Sequence, residues 1–177
     1  EDMKKILTLI DVQEKLVPLM ENKDQFLINL NILLKGVQLL DIPIIWMEQL
    51  PDKLGPTISK VKDVMKGKSP IKKNVFSCGE SAEYLTELKK YGPDEVILCG
   101  IETHVCVYQT AMDLLTMGKK VQVVADAVTS RKKLNHDVGL QRISEKGGLL
   151  TTYELLLFEE QKIAEGDRFR ALINLVK

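Results

Sequence analysis

Aromatic side chains make up only 5% of this 177-residue sequence, histidine occurs twice, and no apolar run reaches the length that spans a membrane. So few aromatics argue against base stacking as the main activity. Lys and Arg together number 25, Asp and Glu together number 25, and the formal net charge is zero. That balance calls for neither nucleic acid nor an anionic membrane surface. His104 and His136 do not sit at metal-binding spacing, and no glycine-rich phosphate loop of the Rossmann or Walker kind is present. Three cysteines at irregular spacing, Cys78, Cys99 and Cys106, form neither a disulfide framework nor a ligand set. With no signal-peptide pattern in the given sequence, the expected compartment is the cytoplasm.

What is present is an alternation of short β-rich runs with amphipathic segments. Ile6–Ile10 predicts a first strand closed by Asp11. Leu27, Leu30, Leu34, Val37 and Leu40 mark a helix face, and Ile42–Trp46 predicts a second strand. Ile71–Phe76 predicts a third strand, and Ser77-Cys78-Gly79-Glu80 fits a capping box opening a helix to about Lys90. Val96–Cys99 is the most apolar strand-like run, Val121–Ala125 is a fifth strand, and Leu149–Tyr153 is a sixth. Helices are expected from Cys106 to Met117, from Leu134 to Lys146, and over the leucine-rich tail. Six strands separated by helices predict one domain over 1–177: a three-layer α/β/α fold around a six-stranded parallel sheet in the order 3-2-1-4-5-6. Such folds bind ligands at the carboxyl ends of strands beside the switch in strand order. Asp11 and the segment after the fourth strand meet there.

Cys106 is the most informative residue. It lies in Gly100-Ile101-Glu102-Thr103-His104-Val105-Cys106-Val107, with Thr103 as the expected N-cap and the thiol in the first helical turn. Free N–H groups and the helix dipole favour a thiolate there, the nucleophilic form of cysteine. A thiol nucleophile needs a group to take and return protons, for which Asp11 is the candidate. Lys73 is a candidate cation that lowers the thiol pKa, although a lysine in a charged stretch is usually solvent-exposed. Asp11 reads equally as a cap on its strand.

The chain resembles the isochorismatase-like cysteine hydrolases over nearly its whole length. Three blocks carry the resemblance: Leu9-Ile10-Asp11-Val12-Gln13, Lys73-Asn74-Val75-Phe76-Ser77, and Gly100 to Val107 continued by Thr110 and Val124-Ala125-Asp126-Ala127. Glu48-Gln49, Ile101 to His104 and Thr129-Ser130-Arg131 are similar to the isochorismatase-domain-containing subgroup. The resemblance implies a triad of Asp11, Lys73 and Cys106 that cleaves a carbonyl substrate through a thioester. It also implies a cis peptide joining Ile101 to Glu102, with the Glu102 and Cys106 amides as an oxyanion hole. True isochorismatases lack the nucleophilic cysteine, so isochorismate cleavage is not expected. Nicotinamidases carry an Asp/His metal site after the second strand, whereas Glu48 to Gly55 contains no histidine. No metal and no cofactor are therefore expected.

The remaining assignments are weighed against structural roles. Glu48 and Gln49 are candidate substrate contacts, and Phe76 and Tyr108 are candidate apolar walls. Trp46 and Cys99 read as core, Cys78 as packing, His104 as loop support, His136 as surface and Asp126 as a cap ending the fifth strand. The leading functional expectation is a hydrolase of a C–N, amide-like bond in a small-molecule substrate, working as a homo-oligomer. The alternatives are a binding or scaffold protein that has lost turnover and, third, a nuclease, which the neutral charge disfavours.

Overall fold

The computed structural model describes residues 3–177. Its six strands are β1 (Lys5–Ile10), β2 (Ile44–Gln49), β3 (Ile71–Lys73), β4 (Glu95–Ile101), β5 (Lys120–Thr129) and β6 (Leu149–Thr151). All pair in parallel, in the order β3-β2-β1-β4-β5-β6. The helices are α1 (Lys23–Leu39), α2 (Pro51–Leu54), α3 (Ser59–Lys62), α4 (Ala82–Tyr91), α5 (Tyr108–Thr116), α6 (Lys133–Glu145), α7 (Tyr153–Gln161) and α8 (Asp167–Val176). The expected three-layer architecture and strand order are those of the molecule.

Side-chain alternation along the central strands builds two cores. Leu7 and Leu9 of β1, Ile44 and Trp46 of β2, and Ile97 and Cys99 of β4 face the layer of α1, α7 and α8. Ile6 and Ile10, Ile45 and Met47, and Val96 and Leu98 face the layer of α4, α5 and α6. Burial on both faces explains why these strands read as continuous apolar runs. Neighbouring β1 and β4 pair in register, with Leu9 opposite Cys99 and Ile10 opposite Gly100. Gly100 has φ +118°, and a Cβ there would lie 2.1 Å from the Ile10 carbonyl oxygen, so only glycine allows this approach.

Several boundaries differ from expectation, each for a local reason. β3 stops at Lys73 because the Val75 and Phe76 carbonyls turn back to accept from its ammonium, each at 3.0 Å. β2 starts after Pro43 and runs to Gln49. Ser77 caps only a 3-10 turn, Cys78–Glu80, accepting from the Gly79 N–H, while α4 has its own cap in Ser81. Asp126 does not end β5. The strand continues to Thr129 through a bulge, pairing Leu98 with Val123 and then Gly100 with Val128. Within that bulge Asp126 accepts from the Tyr153 N–H at 2.9 Å, capping α7 from outside. Among the described residues no helix is long and apolar enough to cross a membrane.

Candidate functional site

Three strand ends bring Asp11, Lys73 and Cys106 together. Asp11 follows β1 with φ +54°, a left-handed conformation that aspartate tolerates better than most residues. Lys73 closes β3, paired with Gln49 of β2. Cys106 lies beyond β4 in a π turn, Thr103–Val107, that runs directly into α5. The sequence pattern predicts an ordinary α-helical first turn here, and a π turn shares enough of that periodicity to escape it. Asp11 is 1% exposed and Cys106 7%.

The Lys73 ammonium is wholly buried and donates to Asp11 Oδ2 at 2.8 Å, to Gln49 Oε1 at 2.6 Å and to the two carbonyls after it. It also approaches Cys106 Sγ at 3.7 Å. Burial by itself would pull the Lys73 pKa down. The Asp11 charge, the neighbouring Cys106 and Cys78 sulfurs and the hydrogen bond to Asp11 together outweigh it and hold the ammonium above its ordinary range. Burial pushes the Asp11 carboxyl up, opposed by Lys73, and the Cys106 thiol interacts with this same carboxyl. Burial, and then the Asp11 charge, push the Cys106 thiol well up, with Lys73 opposing. Burial and the facing carboxylate thus favour the thiol form of the sulfur, against the pull of the helix start and of Lys73 toward a thiolate. Cys99 is fully buried and raised by burial alone, while burial pushes Cys78 up to about 12.

The Ile101–Glu102 peptide is cis. Among the described residues the Glu102 N–H donates to no protein acceptor. Thr103 does not serve as the expected N-cap. Glu102 occupies that position, without a side-chain cap bond, and the Thr103 hydroxyl lies 2.8 Å from His136 Nδ1. His136 is thereby half-buried rather than a surface residue. His104 Nδ1 lies 2.9 Å from the Ser130 hydroxyl, and Glu102 Oε1 accepts from Arg131 Nε at 2.8 Å.

The candidate substrate contacts divide. Glu48 is buried and its Oε2 accepts from both the Thr57 N–H and hydroxyl, at 2.7 and 2.8 Å. Gln49 reaches the site as a partner of Lys73. Phe76 is 55% exposed, and the Tyr108 ring is faced by the Arg142 guanidinium at 5.2 Å. Sequence reasoning assigned no role to Gln13, whose amide donates to the Gln49 and Gly55 carbonyls, both at 2.8 Å, and accepts from the Gln49 N–H. Its position two residues after Asp11 was the one available signal. An open hollow of about 460 Å³ at the ends of β2 and β3 touches Lys73, Asn74 and Val75. Among the described residues no group of three or more His, Cys, Asp or Glu side chains is placed to hold a metal ion.

Residues 5–154 match the isochorismatase domain family. The chain is 35% identical to mouse isochorismatase domain-containing protein 2A over 172 residues, 97% of this chain and 82% of that protein. In three dimensions it resembles the MAR1 ribonuclease of Caenorhabditis elegans, with TM-score 0.91 and 32% identity over 98% of this chain and 90% of that one. It shares its fold with the YcaC gene product of Escherichia coli, an octameric hydrolase of unknown specificity, with TM-score 0.91 and 21% identity over 97% and 87%. Fold, motifs and matched length agree: the chain belongs to the isochorismatase family.

Proposed function

We propose that this protein is a cysteine hydrolase that cleaves a C–N, amide-like bond of a small molecule through a thioester. One observation carries the reading: a single buried ammonium, that of Lys73, contacts both a carboxylate at 2.8 Å and a thiol sulfur at 3.7 Å. A buried cation between a proton acceptor and a nucleophile balances whichever of the two bears the charge. Cys106 Sγ attacks the carbonyl carbon while its proton passes to Asp11. The oxyanion forms against the Glu102 and Cys106 N–H groups, the C–N bond breaks, and the amine leaves with the proton from Asp11. Water then adds to the thioester, Asp11 takes its proton, and the C–S bond breaks to return the thiol. Apart from the substrate and this water, these steps use the chain's own side chains and amides. Phe76 and Tyr108 are assigned as apolar walls. Free thiols throughout suit a reducing compartment, and the octameric assembly of the YcaC gene product supports a homo-oligomer.

Iodoacetamide is expected to label Cys106 ahead of Cys78 and Cys99, followed by peptide mass mapping, and equal labelling of all three would sink the reading. A metabolite screen with intact-mass detection of an adduct, absent from C106A, would then name the substrate.

A second reading, ribonuclease, is favoured by the likeness to the C. elegans MAR1 ribonuclease. It requires RNA cleavage by the purified chain and salt-sensitive RNA binding in a gel shift. The zero formal charge weighs against it.

A further inference from the structure

Three successive residues of the turn, Glu102, Thr103 and His104, reach across to the stretch that runs from the end of β5 into α6. Glu102 Oε1 accepts from the Arg131 N–H at 3.0 Å and from Arg131 Nε at 2.8 Å. Thr103 Oγ1 pairs with His136 Nδ1 at 2.8 Å, and His104 Nδ1 pairs with Ser130 Oγ at 2.9 Å. The far side is itself anchored, because the Glu21 N–H donates to the Ser130 carbonyl at 2.9 Å and the Thr129 hydroxyl to the Glu21 carbonyl at 2.7 Å. α6 approaches closely enough that a Cβ on Gly139 would lie 3.1 Å from His104 Cα.

The direction of these bonds is the informative part. Carboxylate and hydroxyl side chains at a helix start ordinarily fold back onto the first N–H groups. Here the Glu102 and Thr103 side chains are both drawn to the other segment, and no side chain caps the turn. The Glu102 N–H, at the head of the turn, is left free for an anion.

We infer that Ser130, Arg131 and His136 form a positioning clamp that diverts the capping side chains and holds the Glu102 and Cys106 amides where an oxyanion forms. The inference rests on the thioester reading above. None of the three touches substrate in this role; they act through Glu102, Thr103 and His104.

Two small probes separate positioning from general damage. p-Nitrophenyl acetate acylates a thiol through an oxyanion: the C–S bond forms, the ester C–O bond breaks, p-nitrophenolate departs and the thiol proton passes to Asp11. Iodoacetamide alkylates the same sulfur by displacing iodide, with no oxyanion. The double variant R131A/H136A should acylate Cys106 about 10- to 100-fold more slowly and alkylate within about threefold of the wild type. R131Q/H136N retains a donor at each rung without the guanidinium or the imidazole. It should restore acylation to within about fivefold, as rescue by geometry requires. Parallel loss of both reactions in the alanine variant, unchanged acylation, or failure of R131Q/H136N to rescue would each overturn the clamp. Wild-type protein that is alkylated but never acylated at Cys106 would instead overturn the thioester reading, and the clamp with it.

Discussion

Lys73 and Asp11, 62 residues apart in sequence, form a salt bridge of 2.8 Å in which both side chains are almost wholly removed from solvent. Cutting one partner away leaves an uncompensated buried charge. K73M should destabilise the fold by about 3–5 kcal/mol, measured by urea unfolding. D11N/K73M should recover a large part of that loss, because neither charge then remains. Equal stability of K73M and the double variant would show that the ammonium is held by its carbonyl contacts rather than by Asp11.

Burial and the Asp11 charge favour a thiol at rest, and proton transfer from that thiol to Asp11 leaves the net charge of the site unchanged. Wild-type alkylation by iodoacetamide should therefore vary little between pH 6 and 8. In D11N the proton must leave to solvent, and the rate should climb about tenfold per pH unit. At pH 6 the variant should be at least about tenfold slower, with the gap closing as pH rises. A tenfold-per-unit slope in the wild type would place the base elsewhere.

Three buried thiols set an alkaline limit on stability. Cys78, Cys99 and Cys106 all have their pKa raised above 9.0 in the folded chain. A raised folded pKa contributes stability that is complete below the unfolded value and is lost as pH rises toward the folded one. At pH 10 each unfolded thiol has mostly ionised while its folded counterpart has not, which costs about 1.4 kcal/mol per thiol. Unfolding free energy should fall by about 4 kcal/mol between pH 8 and 10. The triple variant C78A/C99A/C106A should lose most of this dependence, whatever its absolute stability.

Gly100 is where β1 and β4 come closest, and an added methyl group would meet the Ile10 carbonyl oxygen at 2.1 Å. G100A should cost more than about 3 kcal/mol, through the clash and a positive φ that alanine resists. It should also slow labelling of Cys106, since the same contact sets Asp11 against the reactive turn. Circular dichroism melts and mass mapping of the labelled thiol check the two effects.

The parts of the fold that sequence made legible are those where local pattern and global burial agree. The apolar runs of β1 and β4 are buried on both faces, and the stops after α5 and α6 fall at Gly118 and Gly147, both at positive φ. The misreadings occur where a distant partner decides the local structure. β3 ends early because Lys73 gathers the carbonyls behind it, and β5 runs long because a bulge lets it continue past Asp126. Thr103 fails as a cap because His136, 33 residues on, takes its hydroxyl. Within the site, residue types and their order were readable, but the protonation of Cys106 was not. A helix start suggests a thiolate, and only the burial around the sulfur and the facing Asp11 charge push the other way. Gln49 shows the same limit: its amide reads as a candidate substrate contact until Lys73 folds against it.

The Lys73 ammonium and the Arg131 guanidinium lie in different dielectric settings. The lysine side chain has no solvent exposure, while that of Arg131 is 57% exposed. Mobile ions can screen the second but have no route to the first. Raising salt from about 0.1 to 1 M shortens the Debye length from about 10 to about 3 Å, which weakens the Arg131–Glu102 pair far more than the Asp11–Lys73 pair. Ionic strength thus separates two ion pairs of the site without a mutation: Asp11–Lys73 is shielded from the medium, and Arg131–Glu102 is open to it.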